Sequence, residues 1–315
     1  MPRLMNFQQL RIIRETVRRD FNLTGVAGAL FTSQSGVSKH IRDLEYELGL
    51  EIFRRKGKRL LGLTDAGREV AAIVDRMLRD AQNLKVLAEH LRSEDEGQLT
   101  IATTHAQARF VLPPVISRFK QLFPKVHLKL QQSSPQQAAA LLLDGHADVA
   151  IATDTLDGDR DLVGFEYHRW HHSIVVPTGH PLADAPVLTL EEVARHPIIT
   201  YHEGFSGRAS IDGAFAAAGL QPGIVMSAID ADVVKTYVEL GLGIGIIASI
   251  AFDAQRDTSL RLLDGAHLFE QKITRIGLHR RHYLRGFVYQ FILLCQPSLD
   301  EETIRESLLR ADADA

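Results

Sequence analysis

The chain has 315 residues, 45% of them hydrophobic, enough for a sizeable core in two or three domains. Its single cysteine, Cys295, excludes an internal disulfide framework, the opening MPRLMNFQQLR lacks a secretory core, and the longest apolar run, 241–252, is too short to span a bilayer, so a soluble cytoplasmic protein is expected. The net charge of −3 is uneven: residues 1–67 hold 12 Lys+Arg against 7 Asp+Glu, or +5, leaving −8 elsewhere, which points to a nucleic-acid-binding end on an acidic body.

Asn6 caps a first helix whose Phe7, Leu10, Ile13 and Val17 share one face. A second helix follows Asn22 and buries Leu23, Val26, Ala27 and Leu30. After a turn at 31–33, Val37, Ile41, Leu44 and Leu48 recur at spacings of four, three and four. That spacing anchors one face of a third helix and turns Gln34, Ser35, Ser38, Lys39 and Arg42 to solvent, with Thr32 and Ser33 at its start. Two short helices joined by a tight turn, the second polar on its free side, form a helix-turn-helix. Hydroxyls and amides there can bond base edges or phosphates, and Lys and Arg add charge.

Next comes FRRKGKRLLGLTDAG, in which Arg54, Arg55, Lys56, Lys58 and Arg59 flank Gly57. A basic hairpin, or wing, is predicted beside the reading helix. Taken separately, the two stretches also fit a solvated helix and a solvated turn. In this order they favour double-stranded DNA as a partner.

The stretch TSQSGVSKHIRDLEYELGLEIFRRKGKRLLGLTDAG resembles the N-terminal signature of LysR-type transcriptional regulators, and the resemblance extends over essentially the whole chain. Ser35 stands where the family usually has Pro, and Gly28 is unusual within a helix, at a cost of about 1 kcal/mol against Ala. The resemblance implies a winged helix-turn-helix over 1–65, a linker helix and hinge over 66–96, and an effector-binding domain over 97–315. It also implies a homodimer assembling to a homotetramer, and RNA polymerase as a partner.

Between 66 and 92 there is no proline, and Val70, Val74, Met77, Ala81, Leu84, Ala88 and Leu91 are spaced 4, 3, 4, 3, 4, 3. Such a heptad seam predicts a rod of about 40 Å that pairs with a partner helix, or else packs on its own domain. SEDEGQ (93–98) then reads as a hinge.

From residue 98 short apolar runs alternate with helical stretches, the mark of α/β layers. LTIATT, VHLKLQQ and ADVAIAT read as strands, with helices over 107–124 and 135–146 between them. A second cycle starts at HHSIVVPTGHPLA and continues through a Thr189–Glu192 capping box, PIITY, SGRASIDGAFAAAGL, IVMSAI, DADVVKTYVELGLG and IGIIAS. TRIGLHR reads as a returning strand, and LDEETIRESLLRADADA as a short helix with an acidic tail. Two lobes are predicted, lobe I over about 97–165 and 269–300 and lobe II over about 166–268. The family implies that they resemble periplasmic solute-binding proteins.

Hydroxyls recur at strand-to-helix junctions: Thr103, Thr104, Thr153, Thr200 and Ser206. In open α/β lobes ligands bind where strand carboxyl ends meet helix N-termini, whose unpaired N–H groups suit an anion. Each residue alone also fits a strand or cap position. IATTHAQAR, ADVAIAT, ITYHEGFSGRASID and DADVVKTYVELGLGIGIIAS resemble the CysB/Cbl subgroup, which controls sulfur assimilation. That resemblance places effector contacts at Thr104, Gln107, Thr153 and Ser206, with Thr103 and Thr200 nearby, and implies sulfate, thiosulfate or an acetylated serine as effector. Ala106 and Ser206 stand where the subgroup commonly has Thr. The matched positions carry no Asp or Glu, so the site is expected to donate hydrogen bonds and to prefer sulfate over hydrogen phosphate.

An enzyme reading is poor. GFSGR (204–208) lacks the last glycine of a nucleophile elbow, GLGIG (241–245) is not a dinucleotide fingerprint, and GKR (57–59) fails the P-loop pattern. His168, His171 and His172 cluster without a carboxylate or thiolate set, so no metal and no cofactor are expected. The remaining alternative is a LysR-type regulator of another pathway.

Overall fold

The computed structural model describes residues 5–310 apart from 58, 94, 154, 157, 186 and 206. The chain divides into two compact units, Met1–Glu89 and His90–Ala315.

In the first unit α1 (Phe7–Arg18), α2 (Leu23–Ala29) and α3 (Gln34–Leu48) precede the antiparallel hairpin β1 (Phe53–Lys56) and β2 (Arg59–Leu63). Asn6 and Gln9 form a reciprocal capping box on α1, and Asn22 caps α2 through the Gly25 N–H. Leu10, Ile13, Val26, Val37, Ile41 and Leu44 close the core with Ile52 and Phe53. Phe7 and Leu48, expected to face the core, are exposed at the helix ends. Gly57, at φ 63°, makes the hairpin tip.

The long helix α4 (Asp65–Arg92) splits its predicted seam. Val70 and Val74 pack on the core of their own unit, and Leu78 joins them rather than Met77. Ile73, Met77, Leu84 and Leu91 stay exposed, the last two at 68% and 78%. Their spacing of four, seven and seven keeps them on one face, so the exposed apolar stripe retains Met77, Leu84 and Leu91 of the predicted seam and gains Ile73, while Val70 and Val74 are taken by the core.

The second unit holds two sheets of one design. The first runs β4 (Val126–Gln132), β3 (Gly97–Thr103), β5 (Val149–Thr153), β12 (Lys272–His279), β6 (Leu162–Trp170). The second runs β11 (Leu260–Leu263), β7 (His172–Pro177), β10 (Ile244–Ala248), β8 (Ile198–Tyr201), β9 (Ile224–Ala228). In each, four strands run one way and a single strand runs against them: β12 between β5 and β6 in the first sheet, and β7 between β10 and β11 in the second. The helices α5 (Leu112–Leu122), α6 (Pro135–Leu143), α10 (Gly286–Cys295) and α11 (Glu301–Leu309) belong to lobe I, and α7 (Leu190–Ala194), α8 (Arg208–Ala217) and α9 (Ala231–Glu239) to lobe II.

The first crossing lies at His171 rather than near 165, because β6 pairs with β12 along its whole length as far as Trp170. The second spans 264–271, bounded by β11, a strand the sequence did not announce. Nor did it announce α10, whose GFVYQFILLC is apolar around most of its circumference, Gln290 excepted, and therefore shows little helical period; Phe287, Val288, Phe291 and Ile292 are all buried. Thr189 caps α7 through the Glu192 N–H, but the Glu192 side chain does not return the bond, so only half of the predicted capping box forms. No helix among the described residues is long and apolar enough to cross a membrane.

Candidate functional site

On the first unit Gln34, Ser35, Lys39 and Arg42 are exposed and Thr32 and Ser38 half-buried, all at the start or along the free side of α3. Ser33 serves the helix itself, because its Oγ accepts the Gly36 N–H at 3.1 Å as the N-cap, and it also lies 3.1 Å from Ser35 Oγ. Arg54 is exposed on the wing, whereas Arg55 is tied to α3 by a 2.6 Å ion pair with Glu45. The other carboxylate oxygen of Glu45 accepts the Ile52 and Phe53 N–H groups, so one side chain sets the β1–β2 hairpin against α3. Lys58 lies outside the described residues.

In the second unit a cavity enclosing about 540 Å³, open mouth included, lies between the lobes. Every strand that reaches it does so by its carboxyl end. Lobe I contributes Thr104, His105, Ala106 and Gln107 after β3, Thr153 at the end of β5 and Trp170 at the end of β6. Lobe II contributes Tyr201, Phe205 and Gly207 between β8 and α8, Asp230 and Ala231 where β9 leads into α9, and Ala248 at the end of β10. Three helix starts therefore converge on one space, an arrangement whose free N–H groups favour a negatively charged ligand.

The turn at Gln107–Val111 is a π-helix, with the Leu112 N–H reaching the Gln107 carbonyl. Pro113 and Pro114 follow it directly, and neither has an N–H to give the Arg109 and Phe110 carbonyls. The wider turn brings Gln107, only 2% exposed, against the cleft wall.

Behind the wall sits Thr274 of β12. Its Oγ1 lies 3.1 Å from Trp170 Nε1, 3.2 Å from Gln107 Nε2 and 3.1 Å from Thr153 Oγ1. A hydroxyl has two lone pairs and one proton. With the Gln107 amide presenting Nε2, its N–H and the indole N–H fill both lone pairs, and the Thr274 proton goes to Thr153. The proton of Thr153 is then left over for the cleft, which makes Thr153 a donor there. The Thr104 hydroxyl has no hydrogen-bond partner among the described residues.

Thr103 and Thr200 take no part. Each is fully buried inside its sheet, and each Oγ1 donates to a carbonyl of the next strand at 3.0 Å: Thr103 to Ile151 and Thr200 to Ile246. Their placement as effector contacts is corrected accordingly. Ser206 lies outside the described residues.

Sequence reasoning missed Trp170, Thr274, Tyr201 and Asp230. The one tryptophan, at the end of a strand before a lobe crossing, was the available signal. Tyr201 offers its hydroxyl oxygen to the Ala248 N–H at 3.0 Å, and burial pushes its pKa up to about 12, so it stays neutral. Asp230 caps α9 through the Val233 N–H at 2.9 Å and brings a carboxylate to the wall. A cleft that holds only donors is therefore corrected to one with an acceptor at its α9 end, and hydrogen phosphate is not disfavoured for want of one.

Just behind Gly207 lies His172, fully buried among Trp170, Tyr201 and Phe269. A Cβ on Gly207 would come within 2.6 Å of its Nε2, so only glycine lets the loop close over the ring. Neither ring nitrogen has a hydrogen-bond partner among the described residues. Burial first, then the positive charges of Lys272 and His171, pushes its pKa down to about 3. Of the other two histidines, His171 pairs with Asp264 at 2.8 Å across the two crossings, and burial lowers the pKa of His168.

Comparison with known proteins places these features. Residues 7–68 match the bacterial regulatory helix-turn-helix protein, lysR family, and residues 92–299 match the LysR substrate binding domain. The HTH-type transcriptional regulator SsuR of Burkholderia cenocepacia is 54% identical over 98% of this chain and 100% of its own. The HTH-type transcriptional regulator cbl of Escherichia coli is 51% identical over 98% and 97%. The crystal structure of the cofactor-binding domain of the Cbl transcriptional regulator, 48% identical, superposes on 68% of this chain and 93% of its own with a TM-score of 0.64.

Proposed function

The chain belongs to the LysR family of bacterial helix-turn-helix transcriptional regulators, and from that membership we propose that it controls sulfur-assimilation genes in response to a small anion held between its lobes. It is a DNA-binding regulator rather than an enzyme. The likeness to the CysB/Cbl subgroup supplies the pathway. The ligand class is carried by the hydroxyls of Thr104 and Thr153 standing where three helices begin. Sulfate, thiosulfate and an acetylated serine all present anionic oxygens to such donors, and only the acetylated serine also has an N–H for Asp230.

Thr104 makes the clean test, because its hydroxyl supports nothing else, whereas removing that of Thr153 would strand the proton of Thr274. In calorimetry on the full chain, Thr104→Val should weaken the bound anion roughly tenfold, the worth of one good hydrogen bond, without lowering the thermal midpoint. Asp230→Asn still caps α9 and separates the candidates: sulfate should bind more tightly once the wall loses a negative charge, and an acetylated serine less tightly. Failure of the parent to bind any of the three, or parental affinity in Thr104→Val, would remove the sulfur reading. A regulator of another pathway would then remain, a reading that Ala106 favours by removing a hydroxyl from the wall.

On the DNA side, Gln34, Ser35, Ser38, Lys39 and Arg42 would read the major groove while Arg54 of the wing neutralises phosphate, with Thr32 and Ser33 at the helix start. The exposed stripe Ile73, Met77, Leu84 and Leu91 fits a second copy of α4, which would set two reading helices on successive grooves. Leu84→Glu should leave mostly monomer in analytical ultracentrifugation; an unaltered dimer would place the contact elsewhere. The family implies assembly to a homotetramer on DNA, action in the cytoplasm and RNA polymerase as a partner.

A further inference from the structure

Two phenylalanines of the DNA-binding unit hold left-handed backbone conformations, and only one has a reason within the fold. Phe21, at φ 64°, packs on the core with its ring edge-on to Phe53, the centroids 6.1 Å apart. Phe31, at φ 50°, directs its side chain into solvent and is 97% exposed.

The backbone around Phe31 shows what that position normally demands. The Thr32 N–H donates to the Ala27 carbonyl at 2.9 Å, and the Phe31 N–H to the Gly28 carbonyl at 3.4 Å. This pair of bonds is the Schellman ending of α2, with Phe31 at the left-handed residue just past the cap. Glycine is the usual occupant, because a Cβ there crowds the backbone. The chain instead carries a large aromatic ring, which adds strain and buries no apolar surface. The fold gains nothing from it, so an observed outlier points to function.

The position of Phe31 names the use. It lies two residues before Ser33, the N-cap of α3, beside Thr32 and Gln34. A recognition helix meets base edges through its N-terminal residues, so a ring projecting from that end enters the major groove with it. In that groove thymine alone presents a methyl group, the one apolar feature on a base edge. We propose that Phe31 is a sequence-reading residue whose exposed ring packs against the C5 methyl of a thymine next to the bases read by α3. The proposal rests on α3 reading DNA, and the test keeps the two apart.

A duplex is selected from a random pool by the full-length chain, and each thymine is replaced in turn by deoxyuridine, which lacks only that methyl. At one position per half-site the parent should lose roughly three- to tenfold in affinity. Phe31→Gly should bind the selected duplex and that deoxyuridine version equally, both as weakly as the parent binds the latter. Its thermal midpoint should match or exceed the parent's, since glycine relieves the left-handed backbone. Parental affinity in Phe31→Gly overturns the proposal, and so does a loss that persists unchanged at every deoxyuridine position, which would mean a sugar or phosphate contact. A lowered midpoint also overturns it, because the ring would then serve the fold. Gln34→Ala is the control: if it alone loses binding, α3 still reads DNA and only the Phe31 contact falls, whereas loss in neither variant removes both.

Discussion

Lys235→Ala is expected to destabilise the second unit by about 3–5 kcal/mol, the usual cost of removing one partner from a buried ion pair. Lys235 and Asp257 keep only 7% and 12% of their side-chain surface. Nζ donates to both carboxylate oxygens, at 2.9 and 3.0 Å, and to the Ala251 carbonyl at 2.9 Å. Its charge also lies 5.2 Å from the ring centre of Phe110, a lobe I residue packed on the core of lobe II. Alanine would leave the Asp257 carboxylate buried without its cation. Trp170, the only tryptophan, sits in this unit, so its fluorescence during urea unfolding of the full chain follows the right transition. Lys235→Met with Asp257→Leu should recover part of the loss, although the Asp253 N–H then loses its acceptor. A cost below about 1 kcal/mol for Lys235→Ala, the worth of a surface pair, would show that water reaches this one in solution.

His172 should make the same unit acid-sensitive. Its folded pKa of about 3 lies below the unfolded value of 6.5, so between those values the unfolded chain binds the proton and the folded one does not. Above pH 6.5 both states are neutral and nothing is lost. As pH falls below 6.5 stability drops, by about 2 kcal/mol at pH 5 and about 4 kcal/mol near pH 3.5, and the loss levels off once the folded state also protonates. His172→Leu suits the aromatic surroundings and removes the two unpartnered nitrogens. Between pH 7 and 4 its stability should decline less steeply than the parent's, with the two compared by urea unfolding at each pH. Parallel declines would mean that His172 finds a proton acceptor or water in the folded state.

The reading helix and wing were legible because their signals are local. The 4-3-4 spacing of Val37, Ile41, Leu44 and Leu48 and the basic run around Gly57 need nothing beyond their neighbours in sequence. The strand at 126–132 is likewise legible at its observed bounds, since alternation along a half-buried edge is visible in six or seven residues. Elements that are apolar on nearly every side carry no such pattern, and α10, where Gln290 is the one strongly polar side chain, is illegible for that reason. The α4 stripe shows a subtler limit: a heptad marks which residues are apolar, but not which of two adjacent faces the unit's own core takes first.

The threonines of the second unit draw the line most clearly. By sequence Thr103, Thr104, Thr153 and Thr200 are alike, each a hydroxyl at or near the end of a strand, and composition and motif determined that much: two α/β lobes with hydroxyls at their strand ends. Only the tertiary structure decided which of them face the cleft between the lobes. Thr103 gives its proton to Ile151, 48 residues away, and Thr200 gives its own to Ile246, whereas Thr153 is made a donor to the cleft by Thr274, 121 residues away. A hydroxyl has one proton to give, and the acceptor that takes it is set by which strands lie side by side, a relation between distant segments that no local pattern encodes.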